Sequence, residues 1–230
     1  MSDNFALIEK NIENIKKQLA LFPDAKLMAV IKNRSNDEVM FAKSCGIDCM
    51  GENHAQEFLS HLPCLDGVKT DFIGTLQSNK VKYLVGKINI IESVSSASAV
   101  KEIARLSQKN NVQSKILIEV NTGKEEQKSG VLPENLSEFL GIVSEEKMID
   151  VLGLMAVAPV TANSDEKRKY FALLRKLRDE NISSFRGYDD HPLLSMGMTD
   201  SYMEALEEGS DIIRIGTGIF GPRNYATTHV

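Results

Sequence analysis

At 230 residues, with 42% hydrophobic and 26% charged side chains, the chain is long enough for one large barrel or two small domains and has an ordinary globular composition. Its formal charge of −5 advertises no basic face for nucleic acid or an anionic membrane, and its longest apolar run, VLGLMAVAPV, is far too short to span a bilayer. Three cysteines, an odd count behind an N-terminus without the apolar stretch of a signal peptide, read as reduced thiols of a cytoplasmic protein.

The chain opens on a predicted helix, with Ile8, Ile12, Ile15 and Leu19 at helical spacing. Strands and helices then alternate. KLMAVIK predicts the first strand and NDEVMFAKSCG the helix after it, followed by IDCMGE with HAQEFLSHL and DFIGT with SNKVKYLVGK. The series continues as INIIESV with SASAVKEIARLSQKN, KILIEVN with PENLSEFLGIVSEE, and VLGLMAVAP with SDEKRKYFALLRKLRDEN. LLSMGM with TDSYMEALEEG and a last strand, DIIRIGT, complete it. Several of these helices carry a Ser, Asp or Thr start signal or a glycine stop. Strands apolar throughout suit a parallel sheet covered on its outer face. Eight such units predict a single-domain (β/α)8 TIM barrel over residues 1–230, with an extra N-terminal helix, rather than an open doubly wound sheet.

RIGTGIFG, residues 214–221, contains the pattern G-x-G-x-x-G. A dinucleotide fingerprint belongs at the first strand–turn–helix of a βαβ unit, whereas this one follows the eighth strand. In a TIM barrel that position fits a phosphate, held by the loops after strands seven and eight at the start of a short extra helix. Gly216 and Gly218 let the backbone approach, the Thr217 hydroxyl adds a hydrogen bond, and LLSMGMT brings Ser195 and Gly197 alongside. Across the mouth, MAVIK runs an apolar strand directly into Lys32, where partial desolvation makes an amine a Schiff-base nucleophile. A phosphate cradle opposite an aldehyde-capturing lysine suits a phosphorylated aldehyde, either pyridoxal phosphate or a sugar phosphate.

Cys45, Cys49, His54, His61 and Cys64 lie close together in sequence, but zinc needs ligands that converge. Cys45 ends a predicted helix and Cys49 lies in the next strand, so no metal site is expected. NTGKEE lacks the first glycine and the Ser/Thr of a nucleotide-binding loop.

The segments LMAVIK, GENHAQEF, FIGTLQSNKVK, IEVNTGKEEQKSG, GLMAVAP, LSMGMTDSYMEAL and RIGTGIFGPRNY occur in the order found in the YggS/PROSC family of pyridoxal-phosphate homeostasis proteins. The resemblance runs from about residue 26 to 225. It implies a barrel like the N-terminal domain of alanine racemase, a fold-type III protein that holds pyridoxal 5'-phosphate as a Schiff base on Lys32. By position, Ser195, Gly216 and Thr217 would hold the phosphate, Arg214 would face the pyridine nitrogen, and Asn53 would line the mouth near the ring. The implied role is intracellular buffering and delivery of the cofactor to apo-enzymes, by a monomer or weak dimer without metal.

The chain departs from the family where serine–lysine–threonine and a proline-containing turn are usual, reading Ile31, Lys32, Asn33, Arg34, Ser35. Ile31 should alternate away from the pocket, while Asn33 and Arg34 alter its rim. Thr199 stands where serine is common and keeps a hydroxyl. QSNKVK and KEEQKSG match the family without a role that spacing explains: Lys80 and Lys82 read as a solvated helix face and Lys128 as a loop charge.

Two other functions compete with the carrier. A sugar-phosphate aldolase or isomerase would share only the barrel. An amino-acid racemase needs an acid/base group on each face of the cofactor. In alanine racemase the second is a tyrosine from a β-rich domain that would begin where this chain ends, leaving Tyr225 as an internal candidate. An arginine at the pyridine nitrogen also disfavours its protonation and makes the ring a poorer electron sink.

Overall fold

In the computed structural model, which describes residues 3–160 and 162–222, eight parallel strands close into a barrel in sequence order. They are β1 (Lys26–Val30), β2 (Cys49–Glu52), β3 (Lys69–Phe72), β4 (Ile91–Val94), β5 (Ser114–Glu119), β6 (Ile149–Met155), β7 (Leu193–Ser195) and β8 (Ile212–Ile215). Closure is made by β1 on β8, with Met28 opposite Arg214 and Ala29 opposite Ile215. Outward residues of β1 and its exit, Leu27, Ala29 and Ile31, belong to the main core beneath the helices. Met28, Val30 and Lys32 have the opposite parity and face inward. Two apolar clusters fill the barrel: Met28, Cys49 and Ile212 in one, and Ile90, Leu117, Leu152 and Met155 in the other.

Helices α2 (Asn36–Ser44), α3 (Ala55–His61), α4 (Ala97–Asn110), α5 (Leu136–Ser144), α6 (Ser164–Glu180) and α7 (Tyr202–Glu207) cover the outer face. The opening helix, α1 (Asp3–Leu19), buries Ile8, Ile12 and Ile15 and packs on α2 and on the short α8 (Thr217–Phe220) that follows β8. At α2, Ser35 Oγ accepts from Glu38 N while Glu38 accepts from Ser35 N, a capping box. Such a cap contributes about 1 kcal/mol, and it fixes where the exit from β1 must end.

One predicted helix differs. SNKVKYLVGK folds as a 3₁₀ helix over Ser78–Tyr83, because three-residue turns align Val81 and Leu84 on one fully buried face. Lys80 and Lys82 lie over the Tyr83 ring, 6.0 and 5.0 Å from its centre. Among the described residues no helix is long and apolar enough to cross a membrane, and no cluster of three or more His, Cys, Asp or Glu could hold a metal.

Candidate functional site

The turn from β1 to α2 is short, and its shape is held from both sides. Lys32 follows Ile31, which is completely buried, and is itself half-buried on the inward side. Asn33 adopts φ +57° and donates its N–H to Glu57 Oε2 at 2.8 Å. The Arg34 side chain reaches over the β1–β8 seam toward α8, donating to the carbonyls of Phe220 (3.3 Å) and Gly221 (2.7 Å) with its guanidinium over the Phe220 ring. Among the described residues no ion pair or hydrogen bond engages the Lys32 amine.

Beside it, the exits of β7 and β8 make two glycine turns. Gly197 has φ +92°, and a Cβ there would lie 2.6 Å from the Ala205 Cβ. A Cβ on Gly218 would be pressed between Ile215 and Thr199, whose hydroxyl accepts from the Gly218 N–H (3.1 Å) and from Thr217 Oγ1 (3.2 Å). Gly216 is different: a Cβ there would make only an ordinary 3.5 Å contact with Val30, so protein packing does not demand glycine. Thr217 opens α8 and is exposed, and the N–H groups of a helix's first turn find no intrahelical carbonyl. Val30, Gly216, Lys32 and Thr217 therefore share one rim.

Below the rim lies Arg214, buried on β8. Its Nη2 donates to the Ala156 carbonyl (2.9 Å) and its Nη1 to Ser195 Oγ (2.6 Å). Ser195 in turn donates to Glu92 Oε2 at 2.6 Å. Burial lowers the guanidinium from its ordinary value, and Glu92 and Glu119 oppose that shift. Ser195 is fully buried, and its hydroxyl is engaged by Arg214 and Glu92, a layer deeper than the glycine turns.

At the exit of β2, Asn53 Oδ1 is buried with no hydrogen-bond partner among the described residues. The backbone there is fixed by a close approach: a Cβ on Gly74 would lie 1.9 Å from the Asn53 carbonyl oxygen. Glu52 Oε1 accepts from the N–H groups of Asn53 (2.7 Å) and His54 (3.2 Å), and its Oε2 faces His61 Nδ1 at 3.0 Å. His61 Nε2 meets the Arg34 carbonyl at 2.9 Å. Both imidazole nitrogens thus stand against acceptors. Burial pulls the imidazole down, but the Glu52 carboxylate and the Arg34 carbonyl outweigh it and raise it above its ordinary value.

The structure gathers Lys32, Asn53, Gly216 and Thr217 at the C-terminal mouth, with Arg214 and Ser195 immediately beneath. Sequence reasoning missed Glu92, Glu119, Asp71, Glu52 and His61. Two of those acids carried a signal, since Glu92 and Glu119 interrupt the apolar strand segments INIIESV and KILIEVN, whereas Asp71 opens DFIGT and reads as a strand start. The KEEQKSG loop also acquires a role, since Ser129 Oγ donates to Glu119 and Asn121 braces the Glu125 backbone. Tyr225 lies outside the described residues.

A closed parallel barrel with its functional groups at the C-terminal mouth, and one lysine on the exit of its first strand, defines the class of alanine-racemase-like barrels. The structure superposes on alanine racemase from Corynebacterium glutamicum with a TM-score of 0.73, over 98% of this chain and 63% of that one; at 14% identity the likeness is one of fold. The sequence model for the alanine racemase N-terminal domain matches residues 4–224. A pyridoxal phosphate homeostasis protein of Aquifex aeolicus is 42% identical over 203 residues, 87% of this chain and 88% of the relative. PipY of Synechococcus elongatus, solved with pyridoxal phosphate bound, superposes with a TM-score of 0.82 at 28% identity, over 93% of this chain and all of PipY. The chain belongs to the alanine racemase N-terminal domain family and, within it, to the pyridoxal phosphate homeostasis proteins.

Proposed function

We propose that the protein binds pyridoxal 5'-phosphate at the barrel mouth and serves its intracellular homeostasis, buffering the cofactor and handing it to apo-enzymes. The observation that carries this reading is the position of Lys32, unengaged and inward-facing, across from the glycine turns of β7 and β8. The residues present suit the cofactor. Gly216 leaves room on its ligand side, and the unpartnered Asn53 oxygen offers an acceptor of the kind a ring hydroxyl needs.

The bound cofactor supplies an aldehyde carbon that a lysine amine can capture covalently. Lys32 provides that amine. Gly216 and Thr217 hold the phosphate, with the Thr199 hydroxyl and the Gly197 turn beside them. In this reading the Ser195 hydroxyl serves Arg214 rather than the phosphate, because it already has two side-chain partners. Arg214 presents N–H donors to the ring nitrogen and keeps that nitrogen unprotonated, which favours a carrier over a racemase. Free thiols at Cys45, Cys49 and Cys64 suit the cytoplasm, and a monomer or weak dimer suffices for delivery.

Titration with pyridoxal 5'-phosphate tests the reading by visible absorbance. The wild-type protein should turn yellow with saturable binding, and Lys32→Ala should not. A protein that stays colourless yet binds a sugar phosphate would overturn the proposal in favour of an aldolase or isomerase.

A further inference from the structure

Four strands send one charged side chain each into the barrel: Asp71 on β3, Glu92 on β4, Glu119 on β5 and Arg214 on β8, all buried. Cofactor binding as described uses only Arg214. Burying three carboxyls around one guanidinium costs folding energy unless each is well paired, so the pairing indicates what the arrangement does.

Glu92 is completely buried, and its connections run in two directions. Toward the mouth, Glu92 Oε2 accepts from Ser195 Oγ, and the Ser195 oxygen accepts from Arg214 Nη1, both at 2.6 Å. Arg214 Nη2 is tied to the Ala156 carbonyl. A guanidinium is a rigid plane carrying five N–H groups, so committing both terminal nitrogens to the wall sets the direction of the rest. We infer that Glu92 is a positioning residue, holding Arg214 through the Ser195 hydroxyl in the orientation that meets the pyridine nitrogen. The inference rests on the proposed placement of Arg214 at that nitrogen.

Away from the mouth, Glu92 stands next to the buried Asp71 carboxyl, whose charge acts on it. Asp71 has donors of its own, Asn89 Nδ2 at 2.7 Å and the Ile90 N–H at 3.0 Å, which stabilise its charge, with the Cys49 thiol 3.8 Å away. Glu92 Oε1 has no donor against it among the described residues. Two adjacent buried carboxyls disfavour carrying two full charges, and a proton on Glu92 Oε1 would satisfy the one oxygen that has no donor. Burial, and then the Asp71 charge, push Glu92 above the usual carboxylate range. A protonated Glu92 satisfies both neighbours, accepting from Ser195 with one oxygen and donating to Asp71 with the other. Glutamine has the same two capacities in the same shape.

The test compares affinity for pyridoxal 5'-phosphate with affinity for its analogue bearing C–H in place of the ring nitrogen, with melting curves as the check on folding. Wild type and Glu92→Gln should prefer the natural cofactor equally. Ser195→Ala and Glu92→Leu should lose about tenfold of that preference, while retaining the preference for phosphorylated over unphosphorylated pyridoxal. Should Glu92→Leu fail to fold, Ser195→Ala carries the comparison alone. If Arg214→Gln abolishes the preference but Ser195→Ala and Glu92→Leu leave it intact, the positioning role is wrong and the placement of Arg214 stands. If Arg214→Gln leaves the preference unchanged, the placement itself fails and the inference falls with it. Loss of phosphate preference in Ser195→Ala would instead assign that hydroxyl to the phosphate and overturn the inference.

Discussion

His61 shows how a single side chain can tie the lysine turn to the rest of the rim. With Glu52 at one nitrogen and the Arg34 carbonyl at the other, it completes both contacts only as the imidazolium. Its value is raised in the folded protein, so its stabilisation is fully present below the unfolded histidine value of about 6.5 and is lost as pH rises through the higher folded value. The wild-type advantage in unfolding free energy over His61→Gln should therefore be larger at pH 6 than at pH 9, measured by urea denaturation; an advantage that grows with pH would contradict the pairing. At the proposed phosphate site, Thr217→Val would remove one hydrogen bond to a charged group, worth about 1.5–3 kcal/mol or roughly ten- to hundredfold in affinity. Pyridoxal 5'-phosphate should weaken by that factor and unphosphorylated pyridoxal hardly at all; equal weakening would place the effect elsewhere. The position of Lys32, Gly216 and Thr217 at the mouth was legible in the sequence because strand ends and glycine turns mark a barrel's mouth. Depth was not: Ser195 shares the inward parity of β7, and only packing shows its hydroxyl consumed below the rim. His61 was unreadable for a similar reason, since its partners, Glu52 and the Arg34 carbonyl, lie nine and 27 residues away.

At the scale of elements, the rim depends on how α8 is held. The carbonyls of Phe220, its last residue, and of Gly221 just past it accept from Arg34, which ties the β1 exit to this helix. Arg34→Met keeps an apolar stem against Phe220 but removes both donors. The expected result is about tenfold weaker binding of pyridoxal 5'-phosphate with a smaller change for pyridoxal, read by fluorescence titration; unchanged affinity for both would show that α8 needs no such tie. Strand and helix order followed from apolar runs and start signals such as Ser96, which accepts from the helix N–H of Ala99; Ser35 caps α2 one residue before the predicted start. SNKVKYLVGK misled because Val81, Leu84 and Val85 suit either helix type, and the choice of three-residue turns was made by the buried face.

At the scale of the whole molecule, the closed sheet brings residues from its two ends in sequence to one mouth: β1 pairs with β8, so Lys32 and Thr217 become neighbours across the closing seam. That closure was legible from eight apolar strands, while the charged interior was not, because a lone acid in a short strand reads equally as a strand end. On the proposed placement of Arg214 at the ring nitrogen, which keeps it unprotonated, the loaded protein should exchange the α-proton of L-alanine in deuterated water at or near background while still loading an apo-enzyme. Turnover in the ordinary enzymatic range, about 1–10³ s⁻¹, would instead make it a racemase. The cofactor, as proposed, is held covalently on the first strand's lysine, and borohydride reduction of the loaded protein followed by peptide mapping reads that bond itself. The label should fall on the peptide containing Lys32 and vanish in Lys32→Ala; a label that persists in that variant, or maps to another lysine in the wild type, would contradict the account.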